Sequence, residues 1–188
     1  ADDYLGIPIS YSEETAPLGT GGAVINARQK LKKDEPFLVL NGDTFFPIDL
    51  AMLEKKFIET QSDVTIALFK TNESGRYGAA EHDDQGLIKL TNKKAKTGES
   101  ANGGIFLIEP TKVNLMRNMD LPSSFESDFL PTLARLGGRI TGLTFNEPFI
   151  DIGVPQDYLD FCENMKSRQS SEKSDIWCEK TTNRRAAI

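Results

Sequence analysis

Two aspartates in the sequence follow or interrupt short apolar runs that are typical of buried strands. Asp43 closes Phe37–Asp43, where four apolar residues precede Asn-Gly-Asp, and Asp151 lies within Phe149–Gly153. We predict that the first run is a strand buried on both faces, and Gly42 would let a ligand approach its end. Ligands of open α/β sheets bind at the carboxyl ends of strands, so both carboxylates would suit a divalent metal or phosphate site. Asn-Gly-Asp is also ordinary turn chemistry, and by itself it leaves that alternative open.

A glycine-rich stretch, residues 13–22, comes before a predicted helix. Apolar residues from Ala23 to Leu31 recur on one helical face, and lysines crowd the predicted last turn. The free N–H groups and the dipole of a helix N-terminus favour an anion or a polar base edge. The glycine spacing matches neither the dinucleotide-binding pattern nor the P-loop.

The order of the predicted elements favours an α/β fold. A helix over residues 50–60 and a strand over 64–69 complete a β-α-β-α-β series, which predicts a doubly wound, mostly parallel mixed sheet. The later predictions are a hairpin (77–81 and 86–90), a strand (105–108), helices (111–119 and 124–136), a strand (139–145), and a helix from Pro155 with Tyr158, Leu159 and Cys162 facing inward. The glycine pair at 103–104 predicts a bulge or a backbone pressed against a ligand.

Composition excludes several kinds of protein. The 188 residues carry a net charge of −6, which argues against an extended nucleic-acid surface. Neither a bilayer-length apolar run nor a signal-peptide pattern is present, which argues against a membrane protein. With Cys162, Cys178 and His82 as the only cysteines and histidine, a structural zinc site is excluded and a reducing cytoplasm is favoured. We predict one domain over residues 1–165 and a polar linker or tail over 166–188.

Four features, in their order and spacing, resemble the sugar-phosphate nucleotidyltransferases. They are Pro17–Gly22, Asn41–Asp43, Asn102–Gly104 and Phe149–Pro155. The resemblance implies a Rossmann-like, GT-A-like fold and transfer of a nucleotidyl group from a nucleoside triphosphate to a sugar 1-phosphate, with release of pyrophosphate. It places the reaction in nucleotide-sugar and surface-polysaccharide biosynthesis, favours GMP transfer to a heptose, and does not exclude a homo-oligomer.

The resemblance also implies roles for the metal and the nucleotide. Asp43 and Asp151 match the two aspartates that bind Mg²⁺ in that family. Gly19, Thr20 and Gly21 match the loop that borders the nucleobase and ribose. Mg²⁺ is usually held by one or two carboxylates, with phosphates and waters completing its shell, which agrees with this assignment.

Further matches concern the sugar. Tyr77 and Gly78 match a pair whose backbone lines the sugar, and Lys93 matches a lysine that reaches the sugar phosphate. Asn102 and Gly103 match a pair that contacts sugar hydroxyls. These implied contacts make Lys93 the cation of the expected site.

The sequence departs from the family pattern in two respects. Asn92 stands where the family usually has glutamate, which bears on how the sugar is held. The family's first β-loop-α unit, with its phosphate-binding arginine, has no counterpart in these residues. We therefore expect this chain alone to be catalytically silent and the full-length protein to be active.

Two other kinds of protein remain open at this point. A catalytically silent regulatory or binding subunit could keep the fold, although it would have less need of both Asp43 and Asp151. A GT-A glycosyltransferase also binds a divalent metal at a strand end, but it typically carries Asp-x-Asp, and Asp43-Thr44-Phe45 lacks the second aspartate.

Overall fold

The structure, a computed structural model, describes residues 2–4, 6–84, 86–163 and 165. The predicted tail over 166–188 lies outside the described residues. The chain groups into two units that interleave along the sequence. Unit 1 comprises Ala1–Asn41 and Pro47–Glu147, and unit 2 comprises Gly42–Phe46 and Pro148–Ile188. The single domain over 1–165 stays a prediction.

The described elements follow the predicted order, with additions. The strands are β1 (Asp2–Tyr4), β2 (Ile7–Ile9), β3 (Phe37–Leu40), β4 (Thr44–Phe45), β5 (Val64–Lys70), β6 (Gly78–His82), β7 (Ile88–Lys94), β8 (Ser100–Ile108), β9 (Ile140–Phe145) and β10 (Ile150–Asp151). The helices are α1 (Gly19–Ala27), α2 (Leu50–Thr60), α3 (Leu130–Arg135) and α4 (155–163). Short 3₁₀ turns cover Arg28–Lys30 and Pro110–Asn118, and a π-helical turn covers Phe125–Phe129. In the described residues, no helix has both the length and the apolar character needed to cross a membrane.

The main sheet of unit 1 is built around β8. Ile108 of β8 pairs with Phe37 of β3 on one side and with Val64 of β5 on the other, both antiparallel. β5 also pairs with β9 in parallel, and β6 joins β8 to β7 in antiparallel pairings. The predicted α/β fold with a mixed sheet is confirmed. Its parallel share is smaller than predicted, because antiparallel β8 lies between the co-directional strands β3 and β5.

β3 differs from its prediction in burial. Phe37 and Val39 are partly buried against the core, whereas Leu38 and Leu40 are 36% and 56% exposed. The prediction of a strand buried on both faces is therefore wrong. Among the described residues β3 pairs only with β8, so it lies at a sheet edge. A run of apolar residues does not reveal which of its faces is covered.

The core of unit 1 lies between the sheet and the helical segments that follow β8. β5 is buried over its first six residues. Phe106 of β8 packs against Phe125, which in turn packs against Phe129. The predicted helix over 124–136 is confirmed as a π-helical turn followed by α3, and Ser124 caps its start by accepting a hydrogen bond from the backbone N–H of Ser127.

Other helices of unit 1 differ from their predictions in detail. The segment predicted as a helix over 111–119 forms a 3₁₀ turn. In α2, Leu53 and Phe57 are buried, whereas Leu50, the first residue after the Asp49 cap, is exposed. α1 ends at Ala27, before the lysines that were predicted for its last turn.

Unit 2 is organised by a short antiparallel ladder. Thr44 and Phe45 of β4 pair with Asp151 and Ile150 of β10. The ring of Phe161 on α4 packs 4.9 Å from that of Phe45. Tyr158 and Leu159 are exposed and Cys162 is partly buried, so the predicted inward face of α4 is wrong for the first two residues. The large aromatic at 161, rather than those residues, anchors the helix.

Candidate active site

The sugar-binding residues predicted in unit 1 lie on three neighbouring strands, except Tyr77, which directly precedes one of them. β6 pairs with β7 at Gly78 and with β8 at the following residue. This register places Lys93 on one side of Gly78 and Asn102 on the other. A side chain at Gly78 would meet the Thr91 carbonyl oxygen at 3.1 Å, so the close pairing favours glycine there. The side chain of Asn92 lies outside the described residues.

Lys93 is held by an ion pair on the surface of this hairpin. Its Nζ donates to Glu81 Oε1 at 2.9 Å, and both side chains are largely exposed. The hydrogen bond and the charge of Glu81 raise the pKa of Lys93, and the same contact lowers the pKa of Glu81. Lys93 therefore remains a cation at neutral pH. Exposed ion pairs of this kind are weak, so an anionic ligand could displace Glu81.

Asn102 and Gly103 lie within β8 at a bulge. The register of β5 on β8 shifts at this point, and Gly104 has φ +72°. A side chain at Gly104 would press on the side chain of Asn41, while the Asn41 N–H donates to the Gly104 carbonyl at 2.8 Å. The alternative of a bulge, which the glycine pair left open, is confirmed. The bulge lets β8 carry Asn102 beside the hairpin.

The glycines near position 20 lie in the first turn of α1 rather than in a preceding loop. The Gly21 N–H donates to the Ser123 carbonyl at 2.8 Å, and the Phe125 N–H donates to Thr20 Oγ1 at 2.9 Å. Gly19 has φ +75°, and a Cβ built on it would overlap the Ser123 carbonyl oxygen. Residues 123–126, which we term the bridging segment, therefore occupy polar groups that were predicted to face a nucleotide.

Glu126 connects the bridging segment to β8, and sequence reasoning did not single it out as functional. Its Oε1 accepts a hydrogen bond from Asn102 Nδ2 at 2.5 Å. The side chain is exposed overall, yet its carboxyl group is crowded by protein atoms. That burial raises the pKa of Glu126, and the hydrogen bond from Asn102 acts in the opposite direction. The signal available in the sequence was only its place in a helix cap.

A cavity of about 480 Å³ lies beside Glu126 in unit 1. Residues of β5, β7, β9 and α3 line it, and the mainly apolar wall carries charged side chains of both signs: Asp83, Lys89, Glu126 and Arg135. None of the residues predicted for the site lines this cavity. It nevertheless adjoins that group, since β7 of the hairpin and Glu126, which binds Asn102, both contribute to its wall.

Unit 2 brings the two predicted metal ligands together. Gly153 donates its N–H to the Asp43 carbonyl at 3.1 Å and to Asp151 Oδ1 at 3.2 Å. A methyl carbon built on Gly153 would lie 3.2 Å from Asp151 Oδ1 and 3.3 Å from Asp43 Oδ2. One point in space thus touches both carboxylates. The ladder of β4 and β10 produces this meeting, since it aligns Asp151 with the residue that follows Asp43.

The donor set of this pair suits Mg²⁺. Carboxylate oxygens are its usual protein ligands, and it commonly takes only one or two from the protein. Among the described residues, no group of three or more acidic, histidine or cysteine side chains is placed to hold a metal. A divalent metal at this pair would therefore take two carboxylate ligands from the described residues, and phosphates and water would complete its shell. A side chain at Gly42 would meet no described atom within 4 Å, so the backbone there is open to a ligand.

Comparison with known proteins defines the family. A family model described as nucleotidyl transferase matches residues 1–168. The chain belongs to this family. It is 41% identical over 164 residues to the D-glycero-alpha-D-manno-heptose 1-phosphate guanylyltransferase of Campylobacter jejuni, covering 87% of this chain and 70% of that protein. It is 36% identical over 155 residues to the enzyme of the same name from Aneurinibacillus thermoaerophilus, covering 82% and 66%.

A solved structure supports the fold. HddC from Yersinia pseudotuberculosis, crystallised in complex with GMP-PN, matches with a TM-score of 0.69 and 30% identity. The match covers 86% of this chain and 68% of HddC. The nucleotidyl transferase chain described here thus spans about two thirds of the length of these relatives. The predicted Rossmann-like architecture is confirmed.

We expect Gly19→Ala to lower the free energy of unfolding of this nucleotidyl transferase chain by about 3 kcal/mol, because a Cβ there combines backbone strain with overlap on Ser123. The control is Gly75→Ala, since Gly75 has φ +86° but no described neighbour within 4 Å. The Gly75→Ala variant should lose only the part of the free energy of unfolding that is due to backbone strain, about 1 kcal/mol. Urea unfolding of both variants measures the difference, and equal losses would show that the bridging segment does not confine Gly19.

Proposed function

We propose that the protein containing this chain transfers a nucleotidyl group from a nucleoside triphosphate to a sugar 1-phosphate and releases pyrophosphate. GTP is the favoured donor and a heptose 1-phosphate the favoured acceptor. Family membership supports the reaction class, and the names of the relatives from C. jejuni and A. thermoaerophilus support this donor and acceptor. The GMP-PN complex of HddC also supports a guanine nucleotide.

The meeting of Asp43 and Asp151 at Gly153 carries the proposal. A catalytically silent binding subunit would have little need for two carboxylates that share one contact point. Mg²⁺, when bound there, would neutralise charge on the phosphate oxygens of the reactants. We propose Asp43 and Asp151 as its protein ligands.

This reaction requires the protein mainly to position its two reactants. A phosphate oxygen of the sugar 1-phosphate attacks the α-phosphorus of the triphosphate, and the bond from that phosphorus to the α,β-bridging oxygen breaks. The electron pair leaves with pyrophosphate, so no protein nucleophile is needed. Holding both reactants in line can supply much of the rate enhancement. The scarcity of histidine and cysteine in the chain therefore does not count against an enzyme.

Residues of unit 1 would hold the acceptor. Lys93 would exchange Glu81 for the sugar phosphate, so that one charge-assisted hydrogen bond replaces another. Asn102 and Gly103 would contact sugar hydroxyls, and the backbone of Tyr77 and Gly78 would line the ring. The first turn of α1, with Gly19, Thr20 and Gly21, would border the nucleotide. Only those polar groups that are not already bonded to the bridging segment would contact it.

The remaining assignments concern the cell and partners. We propose a cytoplasmic enzyme of nucleotide-sugar and surface-polysaccharide biosynthesis, with Mg²⁺ as cofactor and without a nucleic-acid or membrane partner. A homo-oligomer is compatible with this proposal.

A substrate matrix tests the proposed function. The protein containing this chain is assayed for pyrophosphate release with each of ATP, CTP, GTP, UTP and dTTP against heptose, mannose, glucose and N-acetylglucosamine 1-phosphates. We expect the highest kcat/KM for GTP with a heptose 1-phosphate. Activity with another pair would correct the substrate but keep the reaction class. No release with any pair, in a protein that still binds nucleotide, would favour a regulatory subunit.

We expect Asp43→Asn and Asp151→Asn each to lower kcat at least about 100-fold, as loss of one group that stabilises transition-state charge commonly does. Asparagine keeps the shape and, at 151, an acceptor for the Gly153 N–H. The matched control is Asp160→Asn, an α4 carboxylate that binds Gln156. Turnover is measured against Mg²⁺ concentration, with circular dichroism as the folding check. Near-normal turnover in either site variant would refute its role as a metal ligand.

We expect Lys93→Ala to raise KM for the sugar 1-phosphate about tenfold, on the order of one hydrogen bond between charged groups, with little change in KM for the triphosphate. Lys93, Lys94 and Lys96 form a short basic cluster in the sequence. Lys96→Ala, which removes another cation of this cluster, should leave both constants within about twofold. Initial rates at varied acceptor concentration measure the effect. If the two variants behave alike, the cluster contributes only general charge.

A further inference from the structure

The side-chain amide of Asn102 is fixed at both of its ends. Its Oδ1 accepts a hydrogen bond from the Gly104 N–H at 3.0 Å, and its Nδ2 donates to Glu126 Oε1 at 2.5 Å. A primary amide has two N–H donors and two acceptor lone pairs. One of each therefore remains for a ligand, and their directions are set by the two bonds already made.

The two partners of the Asn102 amide differ in kind: Gly104 contributes a backbone N–H, whereas Glu126 contributes a side-chain carboxylate. The Gly104 N–H belongs to the bulge and lies two residues from Asn102, so it constrains the oxygen locally. Glu126 lies 24 residues further along the chain and reaches Asn102 from the bridging segment. A carboxylate is a stronger acceptor than a neutral oxygen, which favours a short and well-oriented bond.

The position of Glu126 is itself well determined. The preceding residue, Phe125, is 2% exposed and packs between Phe106 and Phe129. Its backbone N–H is bound by Thr20 Oγ1. Because Phe125 is anchored in this way, the backbone of Glu126 is held within reach of Asn102.

We propose that Glu126 is a positioning residue that orients the Asn102 amide toward a hydroxyl of the sugar 1-phosphate. This rests on the proposed function, and it deepens that function by naming what holds the acceptor-binding asparagine in place. Glu126 acts through Asn102, whose remaining N–H donates to the hydroxyl oxygen. A group beyond the residues matched by resemblance thus contributes to acceptor affinity.

Glu126→Ala should raise KM for the sugar 1-phosphate about tenfold or more, as expected for loss of a hydrogen bond to a charged group, and leave KM for the triphosphate within about twofold. Glu126→Gln keeps an oxygen acceptor for Asn102 and should recover most of the acceptor affinity. The matched control is Asp128→Ala. Asp128 accepts from the Ser124 N–H at 2.6 Å, so this variant weakens the same turn without touching Asn102. It should lower thermal stability but leave the acceptor KM unchanged.

A double-mutant cycle separates orientation from an independent contact. If Glu126 acts through Asn102, the Asn102→Ala/Glu126→Ala double variant has the same acceptor KM as Asn102→Ala alone. Additive effects would show that Glu126 binds the acceptor independently. A normal acceptor KM in Glu126→Ala, or an equal defect in Asp128→Ala, would overturn the positioning role.

A spectroscopic measurement distinguishes this failure from failure of the proposed function. The side-chain amide resonances of Asn102 should shift in Glu126→Ala and return toward the wild-type position in Glu126→Gln. If they do so while no sugar 1-phosphate is turned over, the proposed function fails and the role in acceptor binding falls with it, although the hydrogen bond stands. If turnover is normal and these resonances do not respond to Glu126→Ala, the positioning proposal alone is wrong.

Discussion

The packing of Phe125 is the contact on which the organisation of unit 1 depends. Its ring lies 4.9 Å from those of both Phe106 and Phe129 and is almost fully buried. Burying such a side chain contributes about 1.5–3 kcal/mol, with about 0.5–1.5 kcal/mol more from each aromatic pair. A single hydrogen bond contributes about 1 kcal/mol net. Packing therefore places the bridging segment, and the hydrogen bonds to Thr20 and Asn102 set its orientation.

In unit 2, contacts made by residues close to Asp43 and Asp151 in sequence bring these two aspartates together. Two aspartates that are far apart in sequence meet because β4 and β10 pair, over two residues each, and Gly153 lies two residues after Asp151. The Gly153 N–H bonds both to the Asp43 backbone and to the Asp151 side chain. These contacts need no large core. The geometry of the carboxylate pair is thus encoded mainly within residues 43–45 and 150–153.

This difference explains which features could be predicted from the sequence. Asp43 and Asp151 were identified because each accompanies a short apolar run beside a glycine, and that pattern is local. The exposure of Leu38 and Leu40 depends on which strand lies beside β3, and the position of β8 is set by pairings up to about 70 residues away. Glu126 was missed for the same reason. Its partner is distant in sequence, and its own surroundings indicated only a helix cap.

The two glutamates near the proposed acceptor site have different surroundings, which shift the pKa values of their carboxyl groups in opposite directions. Glu81 is exposed beside Lys93, and this cation lowers its pKa. Glu126 is crowded beside a neutral amide, and burial raises its pKa. One side of Gly78 therefore offers an exchangeable ionic contact, and the other offers a neutral amide held by a carboxyl group. A sugar 1-phosphate has the same division, with a dianionic group at one end and neutral hydroxyls at the other. The order of strands β7, β6 and β8 would thus set the direction in which the acceptor binds.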